Sequence, residues 1–424
     1  METENRRSAK LRLRSQRKQN DGEFTHATHW PVRQTDHGLQ SVGRIHSSPV
    51  QNRPRSQTVS LMPEPAVFLF VCCQFGCEKT CKRELLSRYT GLRFAFSRPG
   101  FMTFKVTDES IRPGKFQLVS TFARVWGWSR GKAKSHEPKE LAAAVTEIIS
   151  AVENSSHFTM LHCWQRDTAM PGKSGFEPGI SPVAKEAGQH LLDAFTPQRP
   201  NLRLNGISQP GQPTLCVVLV ERDEWWMGWH DAATITQQWP GGAPAIELPQ
   251  MVVSRAWLKM HEAVLWGQVP IQKGDVVAEI GSAPGGAAQF LLERGVTVIA
   301  IDPAQMDPTV AEHPSLLHVR RRARDVPKRV LKDVRWLTID VNMPPSYTIE
   351  VIRDYVQIRG LPVRGIIATL KLPDWKLAED IDNYRQQFFQ LGFPFVETRQ
   401  LAFNRQELCL VALRKRRTAS RPRR

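Results

Sequence analysis

From residue 254 onward the chain alternates helix-like and strand-like segments, and one join in that alternation constrains the fold most. The apolar run Val276-Val277-Ala278-Glu279-Ile280 passes directly into Gly281-Ser282-Ala283-Pro284-Gly285-Gly286. A buried strand that ends in a Gly-rich turn and reopens as a helix is a unit of a doubly wound α/β sheet. Gly281 permits the tight bend, and Gly285 and Gly286 let the backbone come close to a ligand at a helix N-terminus. Around this join the pattern predicts helices at 254–267, from Gly285 to a stop at Gly295, at about 348–358, and at 377–390 with a stop at Gly392. Strands are expected at 276–280, 296–301, 334–339, 364–370, 394–402 and 407–412. The last two strands are too close for a crossover helix, so they are expected as an antiparallel pair at the sheet edge.

Upstream the pattern is α+β. Residues 67–106 read strand, helix (Gly76 to Arg88), strand, strand, which fits a small split βαβ unit. A second α+β region spans about 117–230, with a helix from Glu140 to Val152 and a strand at Leu215–Val220. The run Trp239-Pro240-Gly241-Gly242-Ala243-Pro244 reads as a linker. The expected divisions are therefore an extension at 1–62, units at 63–116 and 117–231, a linker at 232–253, an α/β domain at 254–413 and a tail at 414–424. No apolar run approaches a bilayer span and the N-terminus lacks a signal-peptide core, so a cytoplasmic protein without a membrane partner is expected. Nothing in the chain points to an obligate protein partner.

Seven cysteines are an odd number, and four crowd into Cys72, Cys73, Cys77 and Cys81, which suits reduced thiols. A radical-type cluster loop needs its third cysteine one residue earlier than Cys81, and positions 77 and 81 share one helical face. Buried thiols are the expectation, and no metal is assigned.

The net charge is +17, unevenly placed. Residues 1–62 hold 11 Lys and Arg against 5 acids, residues 413–424 hold 7 against none, and the body between keeps +4. The first segment is expected to be disordered and reads equally as a solubilising tail or as a polyanion-steering arm. Met62, just before the first strand, is an alternative start. Arg414-Lys415-Arg416-Arg417, directly after a strand, reads as an RNA contact.

The chemistry lies in four positions that the α/β pattern delivers to one crevice. Lys259 is in the helix before the first strand; Asp340 and Lys371 end strands; Glu407 opens the last one. Asp302 closes the strand after the Gly-rich turn, where a carboxylate can accept both hydroxyls of an adenosine ribose. Gly281-x-Ala283-x-x-Gly286 is also close to a dinucleotide fingerprint, so the turn alone leaves a nicotinamide enzyme open. Pro284 and the Lys-Asp-Lys-Glu set favour S-adenosyl-L-methionine and transfer to an unactivated hydroxyl. Such a hydroxyl needs a base, and a lysine serves if its ammonium is destabilised by the cofactor's sulfonium and the second lysine. Lys371, at the end of a central strand, is the expected base. Asp340 is expected to hold it, with Lys259 and Glu407 as a second, orienting pair.

Other acceptors fit less well. Asp340-Val341-Asn342-Met343-Pro344-Pro345-Ser346 places Met343 where amino-methylating enzymes need an amide or acid, and the chain has no Pro-Cys dipeptide for cytosine C5 chemistry. Gly172-Lys173-Ser174 lacks the first glycine of a phosphate loop and reads as loop. Trp225, Trp226 and Trp229 suit either base stacking or packing.

Taken together, Ser254–Lys259, Glu279–Gly286, Asp302, Asp340, Thr369-Leu370-Lys371-Leu372-Pro373 and Glu407 resemble the RNA 2′-O-methyltransferases with a Lys-Asp-Lys-Glu tetrad. Val71-Cys72-Cys73-Gln74-Phe75-Gly76-Cys77-Glu78-Lys79-Thr80-Cys81 looks like the start of the ribosomal RNA large subunit methyltransferase M family. The resemblance covers roughly 67–413. It implies a ferredoxin-like domain and a THUMP RNA-binding domain ahead of a Rossmann-like methyltransferase domain. It further implies S-adenosyl-L-methionine as cofactor, a cytidine of 23S ribosomal RNA as substrate and Lys371 as proton acceptor. Cofactor contacts carry over to Ala283, Pro284, Gly285, Gly286, Asp302, Asp325 and Asp340. Ala256 stands where the family has a serine, and Asp325 follows the basic run Arg320-Arg321-Arg322-Ala323-Arg324. A 2′-O-methyltransferase of another RNA, a nicotinamide oxidoreductase and a non-catalytic RNA-binding factor are the competing readings.

Overall fold

The computed structural model describes residues 67–151 and 158–415, all within one unit that begins at Glu64. The extension expected at 1–62, the alternative start at Met62 and the arginines from Arg416 onward lie outside the described residues.

The first half builds one eight-stranded sheet. Its elements are β1 (Phe68–Cys72), α1 (Glu78–Arg88), β2 (Leu92–Arg98), β3 (Phe101–Val106), β4 (Val125–Lys134), α2 (Pro138–Ser150), β5 (Met160–Gln165), α3 (Pro182–Phe195), β6 (Arg203–Leu204), β7 (Pro213–Glu221) and β8 (Glu224–Asp231). The strand order is β2-β3-β1-β4-β8-β7-β5-β6. β1 pairs antiparallel with both β3 and β4, Phe70 facing Thr103 on one side and Gly127 on the other. The two α+β regions read from the sequence therefore share a single hydrogen-bonded sheet.

α1 lies on the core that contains Leu69, Val71, Met102, Trp126 and Trp128. Cys73, Cys77 and Cys81 are buried in the same core, and burial raises the Cys77 thiol, while a hydrogen bond with Cys73 and burial raise that of Cys81. α2 and α3 cover a second core of Leu161, Leu215, Val217, Trp225 and Met227. Trp225 is thus a packing residue. Half-buried Trp226 stacks on Phe96 (centroids 5.3 Å apart), and Trp229 packs against Phe158 at 6.2 Å. The segment read as a linker is packed: Trp239, Pro240, Gly241 and Gly242 are buried.

The second half is the expected doubly wound sheet. It comprises α4 (Ala256–Trp266), β9 (Val276–Ile280), α5 (Gly286–Glu293), β10 (Thr297–Ile301), α6 (Pro308–Ala311), β11 (Leu316–Val319), β12 (Trp336–Ile339), α7 (Pro345–Val356), β13 (Gly365–Lys371), α8 (Ile381–Gln390), β14 (Phe395–Arg399) and β15 (Glu407–Leu413). The order is β11-β10-β9-β12-β13-β15-β14. The first five of these strands are parallel, and β14 and β15 form the antiparallel pair at the edge.

The two sheets meet through polar contacts as well as packing. The Glu84 carboxylate of α1 accepts the amide of Thr121 at 2.7 Å, and the Gln400 amide donates to the Thr121 carbonyl at 2.8 Å. One apolar core runs through Leu69 and Phe122 into Leu337, Leu370 and Phe388. Arg414, expected as part of an RNA contact, is tied into the fold. Its guanidinium donates to the carbonyls of Val363 (2.8 Å) and Gly392 (3.1 Å) and lies over Phe393, so it locks the end of β15.

Candidate active site

In this sheet the C-terminal ends of the parallel strands and the N-terminal end of β15 face the same way, and the four expected residues come together there. Lys259 projects from the first turns of α4, Asp340 follows β12, and Lys371 ends β13 directly opposite Glu407 in the β13–β15 ladder. Lys259 contacts Asp340, and Lys371 contacts Glu407. The cross contacts close the ring: Lys371 Nζ is 2.8 Å from Asp340 Oδ1, and Lys259 Nζ is 3.3 Å from Glu407 Oε1. The pairing expected from the sequence, Asp340 with Lys371 and Lys259 with Glu407, is therefore only half of an alternating four-membered ring.

Two cations and two anions held this closely fix one another's charge. Burial penalises the Asp340 carboxylate, yet Lys259 and Lys371 hold it below its ordinary range. Glu407 is likewise penalised by burial and held low by Lys259 and Lys371, against the charge of Asp340. For Lys371 burial works against the ammonium, but Asp340 and Glu407 outweigh it and raise its pKa above that of a free lysine. The expectation of a destabilised ammonium is thus reversed in this state. The two carboxylates in contact with Lys371 set its charge.

The ring rests on a frame with no motif in the sequence. Glu262, one turn after Lys259 on α4 and 1% exposed, accepts the amides of Ala402 (2.8 Å) and Phe403 (2.9 Å). Asn404, on the same loop, donates to Glu407 Oε1 at 3.2 Å. One buried carboxylate therefore ties the helix that carries Lys259 to the loop that delivers Glu407. Burial pushes it up to about 7, against the two amides, Arg124 and Arg399. Arg255, at the start of α4, pairs with Glu177 from the first sheet's region, and Arg405 donates to the carbonyl of Pro171 at 2.9 Å. The Gly172-Lys173-Ser174 loop is thereby held at the rim of the site.

The Gly-rich turn lies beside the ring. Gly281 has φ +79°, and a Cβ there would be 2.5 Å from the carbonyl oxygen of Asp340, so no larger residue fits the turn against the strand end. A Cβ on Gly286 would stand 2.2 Å from Ser254 Oγ. Gly285, φ +119°, precedes α5, whose first amides are open. Asp302 accepts the amides of Ala283 (3.1 Å) and Ala304 (2.8 Å), which aims its carboxylate along the turn and leaves lone pairs for further donors. Glu279 is buried, takes a hydrogen bond from Ser282 (2.9 Å) and is pushed up to about 8 by burial, with Asp340 and Asp302 adding to the rise. Thr338, whose Oγ1 has no partner among the described residues, and Glu279 line a small cavity with Lys259 and Asp340. An acid, an unpaired hydroxyl, an open helix end and the Asp302 carboxylate suit a nucleoside bearing a cationic amino-acid arm, so the residues present fit S-adenosyl-L-methionine.

Not every expected residue joins the site. Asp325 ends a short 3-10 turn and is exposed, with no side-chain contact to the Gly-rich turn or the ring among the described residues. Ala256 leaves a hydroxyl missing; the nearby Ser254 Oγ accepts its amide at 3.3 Å and lies against Gly286. Glu262, Asn404 and Thr338 had no role in the sequence reading. A glutamate on the apolar side of α4, among Trp257, Leu258, Ala263 and Trp266, was the one visible sign.

The FtsJ-like methyltransferase family matches residues 252–412. The chain is 26% identical to a ribosomal RNA large subunit methyltransferase M from Xanthomonas oryzae pv. oryzae over 364 residues, 82% of this chain and 99% of that protein. It is 33% identical to the protein of the same name from Halorhodospira halophila over 189 residues, 44% of this chain and about half (53%) of that one. Among solved structures, TrmN from Thermus thermophilus aligns over 82% of this chain and 99% of its own at 12% identity, with a TM-score of 0.29 that adds nothing to the assignment.

Proposed function

We propose, from the premise that the chain belongs to the ribosomal RNA large subunit methyltransferase M family, that it methylates the ribose 2′-oxygen of a cytidine in 23S ribosomal RNA with Lys371 as proton acceptor. It is an S-adenosyl-L-methionine-dependent RNA methyltransferase. The observation that carries the finer reading is the closed ring of Lys259, Asp340, Lys371 and Glu407 beside the Gly-rich turn. Gly281, Ala283, Pro284, Gly285, Gly286, Asp302 and Asp340 would hold the cofactor, with Asp325 a contact implied by the family alone. When bound, the cofactor supplies a methyl group on a sulfonium.

The rest falls to the protein. Asp340 and Glu407 set the position of the Lys371 amine, and Lys259 keeps both carboxylates ionised. Lys371 takes the 2′-hydroxyl proton in its neutral form, so the ammonium must first lose its own. Asp340 and Glu407 hold that proton on Lys371, and a cationic cofactor bound beside the ring would weaken their hold. Lys371 would hold the proton that the 2′-oxygen gives up as it takes the methyl group.

The ferredoxin-like and THUMP-like parts of the first sheet are proposed to receive the RNA. No described helix is long and apolar enough to cross a membrane, and the site of action is proposed to be the cytoplasm.

The experiment is methyl transfer from labelled S-adenosyl-L-methionine to large-subunit RNA, with 2′-O-methyl mapping in cells with and without the gene. Loss of one cytidine modification supports the reading. Nicotinamide binding without methyl transfer, or modification of a different RNA, overturns it.

A further inference from the structure

A cleft lies between the two sheets, along the edge strand β14. The β3–β4 connection, the 234–238 turn and β14 enclose a cleft of about 660 Å³, within the range of small-ligand sites. Its charged lining is four arginines, Arg88, Arg124, Arg385 and Arg399, against one acid, Glu397.

Arg124 is neutralised face to face, bidentate to Asp167, whereas Arg385 has a single ion-pair contact, with the exposed Asp382. Arg399 uses Nη2 for the carbonyl oxygens of Ala123 and Arg124, and among the described residues no carboxylate lies within ion-pair distance of it. Arg385 reaches Asp382 (3.3 Å) and the Val396 carbonyl (3.4 Å), while its buried Nε has no acceptor among the described residues. Gln237 is 1% exposed; its Oε1 accepts from Thr234, and its buried Nε2 has no acceptor among the described residues.

The unsatisfied groups are all N–H donors, and they converge from both halves of the molecule. Buried donors without acceptors are costly and rare in folded proteins. A ligand that brings several anionic acceptors would satisfy them together, and guanidinium groups match phosphate oxygens in shape and charge.

The cleft is also tied geometrically to the active site. Arg399 faces Cys409 in the β14–β15 register, two residues from Glu407, which in turn faces Lys371. The four side chains therefore share one sheet face. Two strand spacings and two residues separate Arg399 from Lys371, roughly 12 Å. That distance suits a neighbouring stretch of the strand whose ribose lies at Lys371.

We propose that this cleft binds phosphodiester groups of the substrate RNA flanking the methylated nucleotide, a role that rests on the RNA methyltransferase reading above. The test uses the full chain and a large-subunit RNA transcript, with RNA affinity measured across a salt series and cofactor affinity measured separately. Arg88→Gln combined with Gln237→Leu leaves the contacts between the sheets in place; Arg385→Gln with Arg399→Gln removes the remaining donors.

Each pair should weaken RNA binding about tenfold or more. Each lost phosphate contact should reduce the slope of log affinity against log salt by about 0.7. Cofactor affinity should be unchanged. Unaltered RNA affinity and slope in the folded Arg88→Gln/Gln237→Leu protein overturn the proposal, even if the second pair is unstable. Competition by ATP or pyrophosphate for the cleft without any effect of RNA assigns it to a small phosphorylated ligand instead. If the unaltered protein neither binds nor methylates RNA, the fault lies with the methyltransferase reading and not with the cleft.

Discussion

Lys371 and Glu407 face each other as the last register pair of the β13–β15 ladder, so backbone hydrogen bonding itself brings the proposed base to its carboxylate. The contact does not depend on a flexible loop, and that rigidity makes the chemistry testable by small substitutions.

Lys371→Ala should abolish methyl transfer while cofactor binding stays near normal, and a general base typically contributes about 10²–10⁴-fold. Lys371→Arg should fail nearly as badly, since a guanidinium keeps its proton. Single-turnover rates at saturating RNA and cofactor decide this. Because Asp340 and Glu407 raise the Lys371 pKa, the unaltered enzyme's rate should climb with pH on the alkaline side of neutrality. A flat profile there, or a near-normal rate for Lys371→Arg, would place the base elsewhere.

Asp302→Ala should act on binding. Losing hydrogen bonds to a charged group costs about 1.5–3 kcal/mol, so cofactor affinity should fall roughly tenfold to a hundredfold, with a smaller change in rate at saturation. Titration calorimetry against methyl-transfer rates separates the two effects.

Glu262→Gln should loosen the loop that carries Glu407, because each carboxylate oxygen now accepts one amide and the NH2 that replaces one of them cannot accept. Misplacement by about 1 Å can cost on the order of a hundredfold in rate. The maximal rate should drop and the pH–rate profile should shift, with cofactor affinity held. An unchanged profile with a lowered melting temperature would mark Glu262 as purely structural.

Glu279 gives a stability signature. Its folded pKa is raised from 4.5 to about 8, so the folded state binds the extra proton between those values. Its contribution is intact below 4.5 and is lost as pH rises through about 8. Relative to the unaltered protein, Glu279→Gln should therefore gain stability progressively across that window. Denaturant midpoints at pH 5 and pH 8 test the sign; an equal difference at both pH values would mean that Glu279 is ionised throughout.

Removing residues 416–424 deletes five arginines and should weaken RNA binding and flatten its salt dependence. Arg414→Ala should instead lower stability by about 1–3 kcal/mol, because its guanidinium satisfies two carbonyls. RNA affinity that ignores the truncation would rule out the tail as a contact.

The positions of Lys259, Asp340, Lys371 and Glu407 were legible because apolar runs mark strand ends and a doubly wound sheet delivers those ends to one crevice. The pairing within the ring was not, since register and distance have no trace in residue spacing. The protonation of Lys371 depends on those same distances. In the first half, β4 alternates Arg130, Lys132 and Lys134 with only the small Gly131 and Ala133 on the other face, and β5 is interrupted by His162, so neither showed a strongly apolar face. β11 is four residues long and only half-buried, and its pattern was too short to read. Glu262 and Asn404 act through backbone amides and a neighbouring side chain, which no motif records.

The shared first sheet also bears on how such a protein is taken apart or recombined. β1 is clasped on both sides, by β3 and by β4, so a truncation ending at 116 would bare one complete edge of it. An uncovered row of amides and carbonyls on an apolar strand invites pairing with another chain. Fragments cut there should clump, and a swap of RNA-recognition parts between relatives should succeed only when everything from 67 to 231 travels together.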